Sequence, residues 1–349
     1  MAEKILYITS SKLEKMMNNE RWHLIKAFKK AGHYVVDVEK DNMHGFDLPK
    51  LVKSFKKPIG LIIFEEIIWA KKLKFRIDFK NAHKVKIPKA MFISDFWIYT
   101  YKYKRILPKN DIRVLLTCHE GAYAYIGKHF GKWVDRIIWV PLTIDSSHFK
   151  FPKQKKKYDF FLSGAMTFFT PFRGRVIELI KKHRSDKYRI YHLGHPGHWK
   201  KGENKGVRGI DYYKLLAQSY FCLSTTGINN ISARKYWEIS AAGSTLLGNE
   251  TGLPEHFLIK DNLVHIHDQM SDKEILKEID KAYKNRKKWS KKAEEAQKQV
   301  LKFISTDYTV QRLEEQLPIL KLPLAQPSRL LRRLRERVGG FIYFKIFRR

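Results

Sequence analysis

The feature that most constrains this chain is a repeated alternation of short apolar runs with amphipathic segments. Six runs in the first 150 residues have strand character: KILYITS, HYVVDVE, GLIIFEEI, KAMFISD, IRVLLTC and RIIWVPL. Between the first two, NNERWHLIKAFKKAG has apolar residues at helical spacing and ends at Gly32. Repeated strand–helix units favour a parallel sheet with helices on both faces.

The alternation is interrupted once and then restarts. HFKFPKQKKKYD has a proline, a run of lysines and no apolar periodicity, which predicts a linker at 151–158. The second series is YDFFLSG, RGRVIELIKKH, YRIYHLG, YYKLLAQS, YFCLSTT, ARKYWEISAAG and STLLGN. We therefore predict an α/β protein with two Rossmann-like, doubly wound domains at 1–150 and 159–304. Ligands of such sheets bind at the carboxyl ends of the strands, so the cleft between the domains is the expected site.

The C-terminal part is predicted to be helical. SDKEILKEIDKAYKNRKKWSKKAEEAQKQVLKFIS indicates one or two long helices, with Ser271 and Glu274 as a capping box. A closing helix is predicted at 305–320, and Pro318 and later prolines separate it from a tail at 321–349.

The tail combines basic and aromatic residues. Within 327–349, SRLLRRLRERV has the pattern of a basic amphipathic helix, and GFIYFKIF adds an aromatic cluster. This pattern is typical of segments that lie on an anionic membrane surface. The alternatives are a helix that packs on its own protein or one that binds nucleic acid.

The charge of the chain restricts its partners. With 69 basic and 35 acidic side chains, the formal net charge is +34, which attracts nucleic acid, anionic lipid or phosphorylated substrates without distinguishing among them.

Cys118 and Cys222 form no disulfide or zinc pattern and indicate a reducing compartment. The N-terminus lacks the pattern of a signal peptide, and no run of about 18 apolar residues predicts a membrane span.

One stretch, SARKYWEISAAGSTLLGNETGLPEHF, carries a specific chemical pattern. A helix that begins near Ser232 would direct backbone N–H groups and its partial positive charge at a diphosphate. Arg234 and Lys235, in its first turn, would add charge-assisted hydrogen bonds. Glu238 lies one turn after Arg234 and could accept hydrogen bonds from a ribose diol. The alternative for Glu238 is a simple intrahelical ion pair with Arg234.

These motifs together resemble the glycosyltransferases of the two-domain GT-B fold. The resemblance is greatest to the spore-maturation-protein (CgeB-like) group, which is related to the family-4 retaining transferases. It covers about residues 1–317 and rests on YDFFLSG with FRGRVIELI, YRIYHLG, YYKLLAQSYFCLSTT, the Arg-x-x-x-Glu stretch and FISTDYTVQRLEEQL. The first half matches more loosely, through KAMFISD and WVPLTIDSSHF.

The resemblance implies roles in the second domain. Gly164 would let the backbone approach the phosphates, and Arg173, favoured over Arg175, would neutralise the leaving diphosphate. Thr226 and Asn229 would line the donor pocket, or would simply form turns. The resemblance also assigns Glu238 to the ribose. Asn230 stands where the family-4 pattern has a first glutamate, which leaves the identity of the sugar open.

Candidates in the first domain follow two strands. Asp95 in SDFW, and His119 and Glu120 in TCHEG, come where strands end. His119 or Asp95 could act as a base toward an acceptor hydroxyl or bind the sugar, whereas the alternative is a residue that satisfies loop amides. A retaining transferase can also dispense with a protein base.

A metal site is not expected. HLGHPGHW contains His192, His195 and His198, but a Gly-Pro loop is a poor frame for zinc. GT-B enzymes generally work without a bound metal, and the chain has no Asp-x-Asp motif.

The predicted function is therefore transfer of a sugar from a nucleotide-diphosphate sugar to a lipid-linked or cell-envelope glycan. The resemblance implies retention of configuration, no cofactor and no metal. The predicted location is the cytoplasm, with the tail attached to the inner face of a membrane. The alternative is a nucleic-acid-binding protein that uses its basic surface, although the sequence has no zinc finger or RNP-type motif.

Overall fold

The computed structural model divides into two compact units. It describes residues 3–10, 20–38, 46–66, 79–94, 100–119, 122–164, 166–167, 170–194, 207, 209–227, 233–250 and 259–321. Of these residues, unit 1 contains those up to Pro141 together with 309–321, and unit 2 contains those within Leu142–Tyr308.

Unit 1 is built on a six-stranded parallel sheet. Its strands are β1 (Lys4–Thr9), β2 (Tyr34–Asp37), β3 (Ile59–Phe64), β4 (Lys89–Ile93), β5 (Val114–Thr117) and β6 (Arg136–Trp139), in the order β2-β1-β3-β4-β5-β6. All six predicted strands are present. The register places Ile8 beside Phe64 and Ile93 beside Thr117. Because β2 lies on one side of β1 and β3 on the other, the strand order reverses between β1 and β3.

Both faces of this sheet are buried, as the nearly continuous apolar strands predict. The helices around it are α1 (Glu20–Lys30), α2 (Leu48–Lys53), α3 (Thr100–Lys109) and α4 (Ala122–Phe130). Leu6 and Ile62 pack on one face with Leu107 and Phe130, whereas Ile5 packs on the opposite face with residues of α1. Helix α1 stops at Gly32, whose φ of +72° favours glycine.

Unit 2 contains a five-stranded parallel sheet. Its strands are β7 (Tyr158–Ser163), β8 (Ile190–Leu193), β9 (Ser219–Leu223), β10 (Thr245–Gly248) and β11 (Leu263–His265), in the order β11-β10-β9-β7-β8. Its helices are α5 (Pro171–Arg184), α6 (Gly209–Ala217), α7 (Lys235–Ala241), α8 (Asp272–Lys284) and α9 (Arg286–Phe303). The predicted capping box of Ser271 and Glu274 starts α8. In this sheet the strand order reverses between β7 and β9.

The last described helix, α10 (Thr306–Lys321), crosses from unit 2 to unit 1. Leu317 and Leu320 are buried against the same face of the first sheet as Ile5. This helix corresponds to the closing helix predicted at 305–320, and it continues through Pro318. Proline inside a helix costs about 3 kcal/mol, and burying two leucines offsets a cost of that size.

The unit boundaries also differ from the predicted domain boundaries. Residues 142–150 belong to unit 2, although we predicted them in the first domain. The predicted linker 151–158 is tied to the second sheet: Lys156 Nζ donates to the carbonyl of Ser219 at 2.7 Å, and Lys157 N donates to the carbonyl of Gln218 at 2.7 Å. A run of lysines is usually exposed to solvent, but here the side chain of Lys156 binds the backbone of the second sheet.

No helix in these described ranges is long and apolar enough to cross a membrane. The predicted tail 327–349 lies outside the described residues.

Candidate functional site

The strand reversal in unit 2 locates the candidate site. Neighbouring parallel strands whose connections leave in opposite directions open a crevice at their carboxyl ends, where ligands of doubly wound sheets bind. Strand β7 ends at Ser163 and is followed by Gly164, and the neighbouring strand β9 is followed by 224–226. The predicted residues Gly164 and Thr226 therefore come at this reversal.

Two cationic side chains converge on Gly164. A methyl group on Gly164 would lie 2.8 Å from Nη1 of Arg173 and 2.8 Å from Nζ of Lys235. The backbone of Gly164 has a φ of +116°, which other residues rarely adopt. Glycine is therefore required at position 164 for two reasons. It can adopt this backbone conformation, and it leaves the space that the two cationic groups occupy.

Lys235 is the more unusual of the two cations. It is only 8% exposed, and its Nζ donates to the carbonyl oxygen of Ser163 at 2.6 Å and to the Ser163 hydroxyl at 3.0 Å. Burial, reinforced by the charge of Arg173, lowers the pKa of Lys235 to about 7. The amine is thus held at the end of β7 by neutral oxygen atoms.

Arg173 comes from the first turn of α5. It is 6% exposed, and its Nη2 donates to the carbonyl oxygen of Thr225 at 2.9 Å, so it links α5 to the segment after β9. Burial lowers the pKa of Arg173, although an arginine stays protonated at any physiological pH. Two positive groups in one buried place repel each other, and an anion would relieve that repulsion.

Arg175 provides a contrast on the same helix. Its Nη2 donates to Asp272 Oδ1 at 2.7 Å and to the carbonyl oxygen of Met270 at 2.7 Å. It therefore fastens α5 to the start of α8, whereas Arg173 is directed toward Gly164.

Glu238 forms the ion pair that the sequence left as an alternative. Arg234 Nε donates to Glu238 Oε1 at 2.9 Å, and both side chains are largely buried. The Tyr213 hydroxyl donates to the same oxygen at 3.4 Å. This ion pair fixes the carboxylate, and it is compatible with a second role for the other carboxylate oxygen.

Helix α7, which carries Lys235 and Glu238, is held by close packing. Every residue from Lys235 to Ala241 is buried, and Gln297 Nε2 from α9 donates to the carbonyl of Ala241 at 2.8 Å. Gly243, with a φ of +70°, ends the turn after the helix. The small residues Ala241 and Ala242 permit this approach.

Thr226 is fixed by the end of β10. Its backbone N–H donates to Asn249 Oδ1 at 2.9 Å, and Asn249 Nδ2 donates to Thr226 Oγ1 at 2.5 Å. The hydroxyl of Tyr236, on α7, donates to the carbonyl of Asn249 at 2.9 Å. Asn249 therefore connects three segments around the site, and the sequence analysis did not single it out.

Several predicted residues lie outside the described part of the chain. They are Asp95, Glu120, His195, His198, Asn229, Asn230 and Ser232. Their roles stay predictions.

Unit 1 has its own polar strand ends. His119, at the carboxyl end of β5, is 8% exposed, and its backbone N–H donates to Thr117 Oγ1 at 3.2 Å. Two acids that we did not predict, Glu65 and Glu66, follow β3 at the strand reversal of this sheet. The Tyr7 hydroxyl donates to Glu65, and Ser94 donates to Glu66 through its N–H at 2.8 Å and its hydroxyl at 2.6 Å. The sequence feature that could have indicated these two acids is the pair of glutamates directly after the apolar run of β3.

Residues 173–315 match a family model described as glycosyl transferase-like. No curated protein matches the sequence significantly.

Solved structures share the fold at low sequence identity. Sucrose-phosphate synthase from Thermosynechococcus elongatus has a TM-score of 0.55 and 10% identity, covering 91% of this chain and 99% of that one. A glycosyltransferase from Rickettsia africae ESF-5 has a TM-score of 0.55 and 11% identity, covering 94% and 100%. TarM has a TM-score of 0.50 and 14% identity, covering 79% of this chain and 57% of that one.

Proposed function

We propose that this chain, which has the GT-B fold, is a glycosyltransferase that transfers a sugar from a nucleoside diphosphate to a glycan or lipid-linked acceptor. The observation that carries the proposal is the convergence of Arg173 and Lys235 on Gly164 at the strand reversal of unit 2. Within the fold, we propose membership of the spore-maturation-protein (CgeB-like) group.

The cation pair has the chemistry that departure of a diphosphate requires. When the bond between the sugar and the diphosphate breaks, negative charge accumulates on the leaving phosphate oxygen. Cations held in place beforehand stabilise that charge without further reorganisation. Arg173 is anchored by Thr225 and Lys235 by Ser163, so neither needs to be ordered by the ligand.

This arrangement also favours catalysis without a resident metal ion. A divalent cation in a transferase neutralises the diphosphate, and two buried cationic side chains can perform the same task. Retention of configuration belongs to the proposal as well, on the strength of the family resemblance.

Glu238 is proposed to bind the ribose. Its Oε1 is occupied by Arg234 at 2.9 Å, which leaves Oε2 as the acceptor for a ribose hydroxyl. Arg234 then has a positioning role, because it fixes the rotamer of the carboxylate that binds the ligand. Ser232 and Asn229 complete the proposed donor site, together with Thr226.

The acceptor is proposed to bind to unit 1. His119 and Asp95 are its candidate base residues. Glu65 is a further candidate for a hydroxyl ligand, because it is a buried carboxylate at the strand reversal of that sheet.

We expect UDP or GDP to raise the melting temperature of the protein in 0.3 M salt. A ligand present at 100 times its Kd stabilises by about 2.7 kcal/mol, which corresponds to a shift of several degrees. Nonspecific phosphate-backbone binding weakens at that salt concentration. A single-stranded oligonucleotide serves as the competing probe. Stabilisation by the oligonucleotide alone, lost on adding salt, would favour the nucleic-acid-binding alternative and contradict the proposal.

The tail is proposed to attach the enzyme to an anionic membrane at its cytoplasmic face. Each basic residue near such a surface contributes about 1 kcal/mol, so deleting 327–349 is expected to move the protein from the membrane fraction to the soluble fraction. Donor hydrolysis by the shortened chain should persist, because Arg173 and Lys235 are unaffected. A shortened chain that still sediments with membranes would refute this role for the tail.

A further inference from the structure

Lys235 is a buried amine with uncharged partners. Its ammonium hydrogens go to the carbonyl and the hydroxyl of Ser163. Among the residues that the structure describes, no carboxylate lies within ion-pair distance of Nζ. Glu238, on the same helix, is instead paired with Arg234. The positive charge of Lys235 is therefore poorly compensated while the site contains no anion.

The other charged and titratable groups around Lys235 come from three elements. The charge of Arg173, on α5, disfavours the protonated form of Lys235, and a methyl group on Gly164 would lie 2.8 Å from both head groups. Glu238, on the same helix as Lys235, and Cys222, in β9, raise the pKa of Lys235. Their effect is smaller than the lowering caused by burial and Arg173 together. Burial raises the pKa of Cys222 to about 12, so this group is a neutral thiol at physiological pH.

From this arrangement we infer that Lys235 takes up a proton when a diphosphate binds beside Gly164, so that donor binding and product release depend on pH. The inference rests on the proposed function, since it takes the diphosphate of the donor as the anion. The proton is transferred from solvent to Nζ of Lys235, and no bond between heavy atoms forms or breaks.

The direction of the linkage follows from the charges. Without ligand, the pKa of Lys235 is about 7, so the amine is mostly neutral at pH 8.5. A diphosphate in contact with Nζ favours the charged form and raises that pKa. Proton uptake is therefore expected above pH 7 and vanishes well below it, where Lys235 is already protonated.

Isothermal titration calorimetry with UDP and with GDP at pH 8.5 tests the inference. The terminal phosphate, with a second pKa of about 6, is fully ionised at that pH and adds no proton change of its own. Titrations in two buffers of different ionisation enthalpy, Tris and EPPS, give the number of protons exchanged. We expect an uptake of about one proton per nucleotide, and a Kd that rises roughly tenfold between pH 7.5 and pH 8.5.

Lys235→Met is the matched variant, because it keeps the length of the side chain and removes its charge. It should bind nucleotide more weakly, without proton uptake and without the dependence of Kd on pH. Nucleotide binding by the unaltered protein with no proton uptake would overturn the inference and leave the proposed function intact. Uptake of the same size in Lys235→Met would also overturn it. Failure of the unaltered protein to bind either nucleotide at pH 7 would overturn the proposed function, and the inference with it.

Discussion

Arg173→Met is expected to lower kcat/KM for sugar transfer by roughly 10²- to 10³-fold, the usual effect of removing one group that stabilises developing negative charge. The structure gives the reason, because Arg173 is one of the two cations directed at Gly164. Transfer or hydrolysis of the donor, measured with a radiolabelled panel of nucleotide sugars, is the assay.

The matched control is Arg175→Met, two residues along the same helix. It removes the same charge from a partly exposed side chain that pairs with Asp272 at 2.7 Å. We expect its kcat/KM to stay within about twofold of the unaltered protein, because exposed ion pairs contribute roughly 0–1 kcal/mol. An equal loss of kcat/KM in the two variants would show that activity depends on the overall positive charge of the protein and not on the position of Arg173. Circular dichroism checks that Arg173→Met, which leaves the Thr225 carbonyl without its donor, remains folded.

Gly164→Ala is expected to weaken UDP or GDP binding roughly 10- to 150-fold. The added methyl would lie 2.8 Å from both cationic head groups and would displace them. A lost hydrogen bond to a charged group corresponds to about 1.5–3 kcal/mol. The φ of +116° adds a strain of about 1–3 kcal/mol, so the free energy of unfolding should fall by about that amount.

Gly174→Ala controls for the addition of a methyl group close to Arg173. Gly174 lies within α5, and its added methyl would come no closer than 4.0 Å to Met166. Alanine is the better helix former, so this variant should be as stable as the unaltered protein or more so, with nucleotide affinity unchanged. If Gly164→Ala bound nucleotide normally, the cations would not act at this glycine.

The sequence predicted the sheets well because their strands are apolar on both faces. The six strands of unit 1 and β7 to β10 follow from runs such as KILYITS and YDFFLSG. Strand β11 was not predicted, since Leu263–His265 is only three residues long and gives little pattern. The closing helix predicted at 305–320 is present as Thr306–Lys321, with Pro318 inside it.

The candidate site was predicted less completely. The sequence predicted four residues of the site: Gly164, Arg173, Lys235 and Glu238. It did not predict that Arg173 and Lys235 lie at the same glycine, because the two residues are far apart in the sequence. The burial of Lys235 could not be foreseen, because a lysine in a first helical turn is ordinarily solvated. Asn249 and Glu65 were missed for a similar reason: their positions depend on which strands are neighbours.

A crystal structure of the protein soaked with UDP or GDP tests the central claim most directly. We predict the diphosphate beside Gly164, within hydrogen-bonding distance of Arg173 and Lys235, and the ribose at Glu238. A nucleotide bound elsewhere, with these two side chains untouched, would contradict the account.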